Sequence, residues 1–438
     1  MTKSYSEINK RIENGGVIVV TAEEMIKIVE DSGIKVAAKE IDVVTTGTFG
    51  PMCSSGAFLN FGHSDPPIKF EHLWLNDVHA YHGNAAVDCY IGVTRMAEKR
   101  PFEYGGGNVI EDLVSGKPIR LKGTSNTTDC YPLGEIDTTI SLNDLNQAIL
   151  CNPRNASQRY FCATNSTEKT LYTYMGKLLP NFGNAHFSGS GSLNPLCNDP
   201  EYETIGIGTR IFLGGGIGYV IGEGTQHDPL NRLGTLFVKG DLKQMYSEYL
   251  KGVNYEHYGT SMFVGVGIPI PILNKELAKK TAIKDEEILT EVVDYGIPRR
   301  ERPILTVTNY KELKSGKIKV NGKIIFVKDL KKKAIICYSD CDIKLVAKKI
   351  IDNNANHIVI TDRHLLLEGI VTSFDITKAM AEEKSDLKEI ITRKVISTYD
   401  DEPLDIAARK MRTNNISALP VLDNGNKVIG IITAEELV

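Results

Sequence analysis

Apolar residues along this chain fall mostly into short runs broken by turn residues, with helical periodicity confined to a few stretches. The N-terminus opens on an amphipathic stretch, followed by a short strand over Val17–Val20. Thr21-Ala22-Glu23-Glu24 then has the form of a capping box, and Met25, Ile26 and Val29 continue it as a helix that stops at Gly33. Ile41–Val44 predicts a short buried strand running out into Thr45-Thr46-Gly47. From residue 47 to 272, Gly, Asn, Ser and Thr crowd between brief apolar runs. That texture predicts a large mixed α/β domain whose long loops build a site.

After Lys333 the pattern repeats itself. The segment Asn353–Asp362 aligns with Asn414–Asp423, and the same offset of 61 pairs Gly369–Thr372 with Gly430–Thr433. Each copy reads as helix, strand, turn, strand and new helix. In the second copy Pro403 opens a helix holding Leu404, Ile406, Ala407 and Met411, and Asp423-Asn424-Gly425-Asn426 turns a hairpin. This repeat resembles a tandem of cystathionine-β-synthase (CBS) domains, which pack as a pseudo-twofold disc. The fold class expected is therefore a large N-terminal α/β catalytic domain plus a C-terminal CBS pair. The boundaries expected are 1–300, a basic linker at 301–333, a first CBS domain at 334–385 and a second at 390–438.

Composition narrows the function. A length of 438 residues exceeds one ordinary core, and 42% hydrophobic with 24% charged residues is a globular balance. The net charge of −4 gives no reason to expect nucleic-acid binding. No apolar run reaches the roughly 18 residues of a membrane span, and no signal-peptide core follows Met1. A soluble cytoplasmic protein is expected, with its eight cysteines as thiols. Charge is uneven: residues 299–333 hold 12 lysines and arginines against three acids. A solvated linker or a docking surface for an acidic partner both fit.

Two cysteines stand in polar, turn-rich surroundings. Cys53 lies in Gly47-Thr-Phe-Gly-Pro-Met-Cys-Ser-Ser-Gly56, a glycine-bracketed loop after the buried strand. Converging backbone N–H groups in such a loop can lower a thiol pKa and hold an oxyanion. Cys130 lies in Gly123-Thr-Ser-Asn-Thr-Thr-Asp-Cys-Tyr-Pro132. Cys89, Cys151 and Cys162 sit in apolar settings that suit packing. His79 and His82 are loosely spaced without an evident third ligand, so acid–base or hydrogen-bonding roles are expected and no metal. Leu213–Gly224 misses the dinucleotide fingerprint at its third glycine and lacks a Walker lysine, leaving a ligand cradle or a tight turn. Arg210, just before it, offers a guanidinium for a substrate carboxylate.

The segment Asp42-Val-Val-Thr-Thr-Gly-Thr-Phe-Gly-Pro-Met-Cys-Ser-Ser-Gly56, with Leu59-Asn-Phe-Gly-His-Ser-Asp-Pro-Pro67 and Leu73-Trp-Leu-Asn-Asp77, resembles the homocysteine-biosynthesis family of archaea and anaerobes. The resemblance covers essentially the whole chain. It implies L-aspartate semialdehyde sulfurtransferase activity: homocysteine made from aspartate semialdehyde and a protein-bound sulfane sulfur. It further implies two functional cysteines, corresponding to Cys53 and Cys130, with Cys130 as persulfide carrier. His63, inside the second motif, joins Arg210 as a substrate-binding candidate. A ferredoxin-like iron–sulfur partner is implied as electron source, and a homodimer through the CBS pair. No tightly bound cofactor is expected, beyond an adenosine nucleotide or S-adenosylmethionine at the CBS pair. There Thr372 would meet phosphate and Asp375 the ribose, with Thr433 equivalent to Thr372 but Glu436 in place of Asp375. Two rivals stand beside this reading: another thiol enzyme acting on a small aldehyde, and a non-catalytic sensor of adenosyl ligands.

Overall fold

The computed structural model describes residues 2–155, 161–198, 202–229, 233–299, 301–316 and 325–437. It divides into two compact units, residues 1–292 with 306–319, and residues 293–305 with 320–438. The fold is mixed α/β, as the pattern predicts. Among the described residues no helix is long and apolar enough to cross a membrane.

A nine-stranded sheet dominates the first unit. Its order is Leu250–Tyr255, Gly259–Gly267, Arg210–Leu213, Gly216–Glu223, Leu236–Asp241, Gln147–Asn155, Gly56–Asn60 and Asp88–Gly92, with Thr48–Pro51 attached to Gly259–Gly267. Every pairing in it is antiparallel. A second antiparallel sheet orders Val78–His79, His72–Leu75, Ile119–Thr124 and Glu135–Ile140. Its strand Ile119–Thr124 buries Ile119, Leu121 and Gly123 and exposes Arg120 and Lys122, the period of two that a half-buried strand requires. Leu59, Ile91 and Leu150 of the large sheet share one core with Leu73, Leu75 and Ile119 of the small one. The helix Gly106–Val114 adds Val109, Ile110 and Leu113 to that core. It begins on glycines because backbone lies against it. A Cβ on Gly106 would stand 2.0 Å from the Gly92 carbonyl oxygen, and one on Gly107 2.2 Å from that of Ser261.

The N-terminal segment forms a smaller core of its own. Thr21 caps the helix Ala22–Ser32 with the expected reciprocal box to Glu24, and the helix ends at Gly33. The two short strands form slightly later than the apolar pattern indicates, at Val19–Thr21 and Val43–Thr45, paired in parallel. Asp42, fully buried, ties this segment together. Its carboxylate accepts from Lys3, Arg11 and the Ile18 amide at 2.9–3.2 Å. Burial by itself would raise the Asp42 pKa. The amide and the two cations outweigh it and hold the group below the ordinary aspartate value.

The second unit carries the repeat. Each copy has three strands, and the offset of 61 persists in the hydrogen-bond register. His357 faces Thr372 in the first copy and Ala418 faces Thr433 in the second, with a register shift at Ile360/Thr361 and again at Val421/Leu422. Val359 and Leu367 of one copy pack with Ala418, Leu422, Val428 and Ile431 of the other. Part of the basic segment expected as a linker is folded. A helix runs over Tyr310–Ser315 in the first unit and another over Val327–Leu330 in the second, where Val327 is fully buried against Ala407, Met411 and Leu419. Lys332 pairs its backbone with Ile431. Residues 300 and 317–324, with four of the basic side chains, lie outside the described residues.

Candidate active site

Cys53 sits on a tight turn between the strands Thr48–Pro51 and Gly56–Asn60. The Ser55 amide donates to the Met52 carbonyl, closing the turn. Three attachments hold it. The Met52 amide donates to the Met262 carbonyl, the Val93 amide to the Ser55 carbonyl, and the buried Asn152 amide to Ser55 Oγ at 2.8 Å. The Cys53 thiol accepts a hydrogen bond from Ser261 Oγ at 3.0 Å. Ser261 is fully buried and lies against Gly107 at the start of the helix Gly106–Val114. The loop does not lower the thiol pKa as its glycines suggest. Burial pushes Cys53 up, and the Ser261 bond only partly offsets this. Tyr255 lies near enough for the Cys53 charge to help raise its own phenol to about 12, after burial.

Cys130 has the opposite setting. Thr128 and Tyr131 exchange both backbone hydrogen bonds at 3.0 Å, so Asp129 and Cys130 form the tip of a small hairpin between the strands Ile119–Thr124 and Glu135–Ile140. The thiol is exposed. Tyr131 stacks on His63, with ring centroids 6.1 Å apart. His63 is itself exposed, so it belongs to the neighbourhood of Cys130.

Both thiols are free, and they occupy different sheets. Cys53 lies three residues before the strand Gly56–Asn60 and His63 three residues after it, a strand about 14 Å long. The Cys130 tip therefore rests against the segment leaving the far end of that strand. Nor does the structure bring Arg210 to Cys53. Arg210 is an exposed strand residue opposite Tyr219. Phe212 pairs with Gly267, which sets Arg210 about 25 Å along the strand from Ser261. The glycine-rich segment after it is a tight turn. Gly214 and Gly215 adopt φ of 60° and 95° between the paired strands Arg210–Leu213 and Gly216–Glu223. Cys89, Cys151 and Cys162 are buried, and burial raises all three thiols, Cys162 to about 12.

The second unit holds a cleft of about 790 Å³ lined by both repeats, including Thr372, Lys394, Met411, Arg412 and Ser417. Thr372 is the one of the three nucleotide-binding candidates on this lining. Asp375 accepts from the Thr372 amide and hydroxyl, capping the helix Ser373–Ala381. Glu436 does the same for Thr433. Asp375, the residue expected at the ribose, thus also completes a capping box with Thr372.

The description "Homocysteine biosynthesis enzyme, sulfur-incorporation" matches residues 17–344, three quarters of the chain. This chain belongs to that family. CBS domains match residues 327–382 and 387–438. Two full-length relatives carry the name L-aspartate semialdehyde sulfurtransferase. That of Methanocaldococcus jannaschii is 49% identical, covering 99% of this chain and 98% of its own. That of Methanosarcina acetivorans is 46% identical with the same coverage. A solved CBS domain pair in complex with 5′-methylthioadenosine and S-adenosyl-L-methionine is 45% identical. It covers 26% of this chain and 94% of its own, with a TM-score of 0.26.

Within this homocysteine-biosynthesis enzyme, the sequence pointed to the two turn cysteines, Cys53 and Cys130, and not to what surrounds them. Ser261 lies 208 residues from Cys53, in the strand Gly259–Gly267. Asn152, whose amide orders the Cys53 turn, is the polar residue in an otherwise apolar run, Ala148–Asn152, and that burial was its one available signal. His72 was also missed, although it lies beside His79 and His82. Burial keeps the His79 pKa below the usual imidazole value, and the Arg95 charge adds to the effect.

Proposed function

We propose that this chain is an L-aspartate semialdehyde sulfurtransferase that makes L-homocysteine, with Cys130 as the sulfur carrier and Cys53 as the second thiol. The observation that carries the reading is near full-length relatedness, at 49% and 46% identity, to two enzymes of that name. The contrast between the thiols supports the division of roles. An exposed hairpin tip is open to a sulfur donor, whereas a thiol held at 3.0 Å by a buried serine is shielded from side reactions.

Attack of the Cys53 thiolate on a Cys130 persulfide forms a disulfide and releases the outer sulfur at the oxidation level of sulfide. Sulfide adds to the aldehyde carbon, and loss of water leaves a thioaldehyde. Two electrons and two protons reduce that to the thiol of homocysteine. A further two electrons restore the cysteines. A ferredoxin-like iron–sulfur protein is the proposed source of both pairs, docking in part on the basic segment around Lys333. The disulfide requires the Cα atoms to come within about 7 Å. The exposed Cys130 hairpin is the element proposed to move.

The test is direct. Purified protein given aspartate semialdehyde, a sulfur source and a low-potential reductant should yield homocysteine. Thiolation of other small aldehydes with equal efficiency, and no preference for aspartate semialdehyde, would favour the more general thiol-enzyme reading.

The cleft in the second unit supports a regulatory reading beside the catalytic one. Its volume suits a small molecule, and Lys394 and Arg412 place two cations on its wall. An adenosine nucleotide or S-adenosylmethionine is the proposed ligand, and the CBS pair the proposed homodimer contact. Calorimetry with each compound on wild type and on Arg412→Ala checks the first point. Regulation further requires that affinity differ between active and inactive states.

A further inference from the structure

We infer that His72, His79 and His82 form a binding site for one divalent transition-metal ion of the zinc class. The hairpin brings them together. His72 opens the strand His72–Leu75, the chain reverses at Asn76-Asp77, and Trp74 pairs with His79 on the returning strand. His72 and Trp74 share a face by the period of two. An isolated bridge between Tyr81 and Tyr90 then fixes the segment that carries His82. One ligand nitrogen from each histidine lies within 4.8 Å of the other two.

That spacing is close to a coordination geometry. Zinc–nitrogen bonds of 2.0–2.1 Å in a tetrahedron put ligand nitrogens about 3.3 Å apart. The side chains have room to close the difference, since His72 is exposed and the other two are half-buried. Three neutral imidazoles without a carboxylate or thiolate select zinc, cobalt, nickel or copper over magnesium and calcium. Three protein ligands also leave a fourth position open for water or an exogenous anion. Glu98 accepts from the Trp74 indole at 2.9 Å and places a carboxylate beside the cluster. Arg95 approaches His79 Nδ1 at 3.4 Å, a long contact.

The site is separate from both cysteines in its ligands, yet it shares a sheet with the Cys130 hairpin. His72 pairs with Thr124, the last residue of the strand from which the chain runs into that hairpin.

The full chain, stripped with chelator, should be titrated with Co²⁺ and then Zn²⁺. Expected is one Co²⁺ per chain, with the visible spectrum of four- or five-coordinate cobalt, no sulfur-to-cobalt charge-transfer band, and displacement by Zn²⁺. His72→Ala, at an exposed position that leaves the fold intact, should lose this binding, as should the double variant His79→Ala/His82→Ala. His364→Ala, on an exposed turn of the second unit, should keep it. An unchanged spectrum and stoichiometry in His72→Ala would overturn the assignment. So would a thiolate band, which places the ion on cysteine, or the absence of cobalt binding by the folded wild-type chain.

Discussion

Cys53 and Cys130 belong to the same unit and occupy opposite physical environments. Cys53 rests on a turn held by three backbone or amide attachments, beneath a buried serine hydroxyl, and its thiol is held in the neutral form by burial. Cys130 stands at a hairpin tip with its side chain in solvent. A carrier must be reached by a donor and then delivered. A thiol that resolves a persulfide must stay protected until delivery. The difference between the two settings matches the division of roles proposed for the two thiols.

The sharpest break of this comparison is Cys130→Ser. Sulfur loading and homocysteine formation should fall by at least ~10³-fold, because a hydroxyl cannot carry a persulfide. Thermal stability should stay within about 0.5 kcal/mol of wild type, since the side chain is exposed. Mass spectrometry after incubation with a sulfane donor locates the added sulfur. An adduct on Cys89 or Cys197 alone would move the carrier elsewhere.

Next in size is a stability effect on the Cys53 side. Asp42 precedes the segment leading to the Cys53 turn, and its buried carboxylate serves Lys3, Arg11 and Ile18. Asp42→Asn should lower stability by about 3 kcal/mol, by leaving Lys3 without a buried counter-charge. Because the folded pKa is depressed, the carboxylate's contribution is complete above the ordinary aspartate value of about 4 and is lost as pH falls further. Denaturant titrations in acid should show wild type losing stability over that range and Asp42→Asn changing much less.

Alkylation kinetics sharpen the comparison further. With a small electrophile at neutral pH, Cys130 should label about 10-fold faster than Cys53, as peptide mapping would show. Equal rates would mean that the turn does not shield Cys53. The smallest effect belongs to Ser261→Ala. Losing the donor to Sγ should cost roughly 1 kcal/mol of thiolate stabilisation, a fall of about 5-fold in turnover. The sign for titration follows from the bond, which lowers the Cys53 pKa. Its removal should shift the alkylation profile of Cys53 to higher pH.

The repeat at 353–438 was legible from one sequence because its two copies share an offset that the hydrogen-bond register keeps, down to the shift before Thr361 and Leu422. The Thr21 capping box was legible for a local reason: its partners lie three residues apart. Cys53 and Cys130 could both be nominated from turn-rich surroundings, and the long motifs around Cys53 carried the family. Several other features needed the fold. The glycines near Cys53 suggested an acidic thiol, and only packing against Ser261 and its neighbours showed that burial wins. The capping of the helix Ser373–Ala381 by Thr372 and Asp375 entered only with the fold. His72 entered a cluster with His79 and His82 only through a hairpin. Local hydrogen bonding and periodicity are written in neighbouring residues. Desolvation, and the meeting of side chains up to 208 positions apart, are fixed by strand order, which no stretch of the sequence contains.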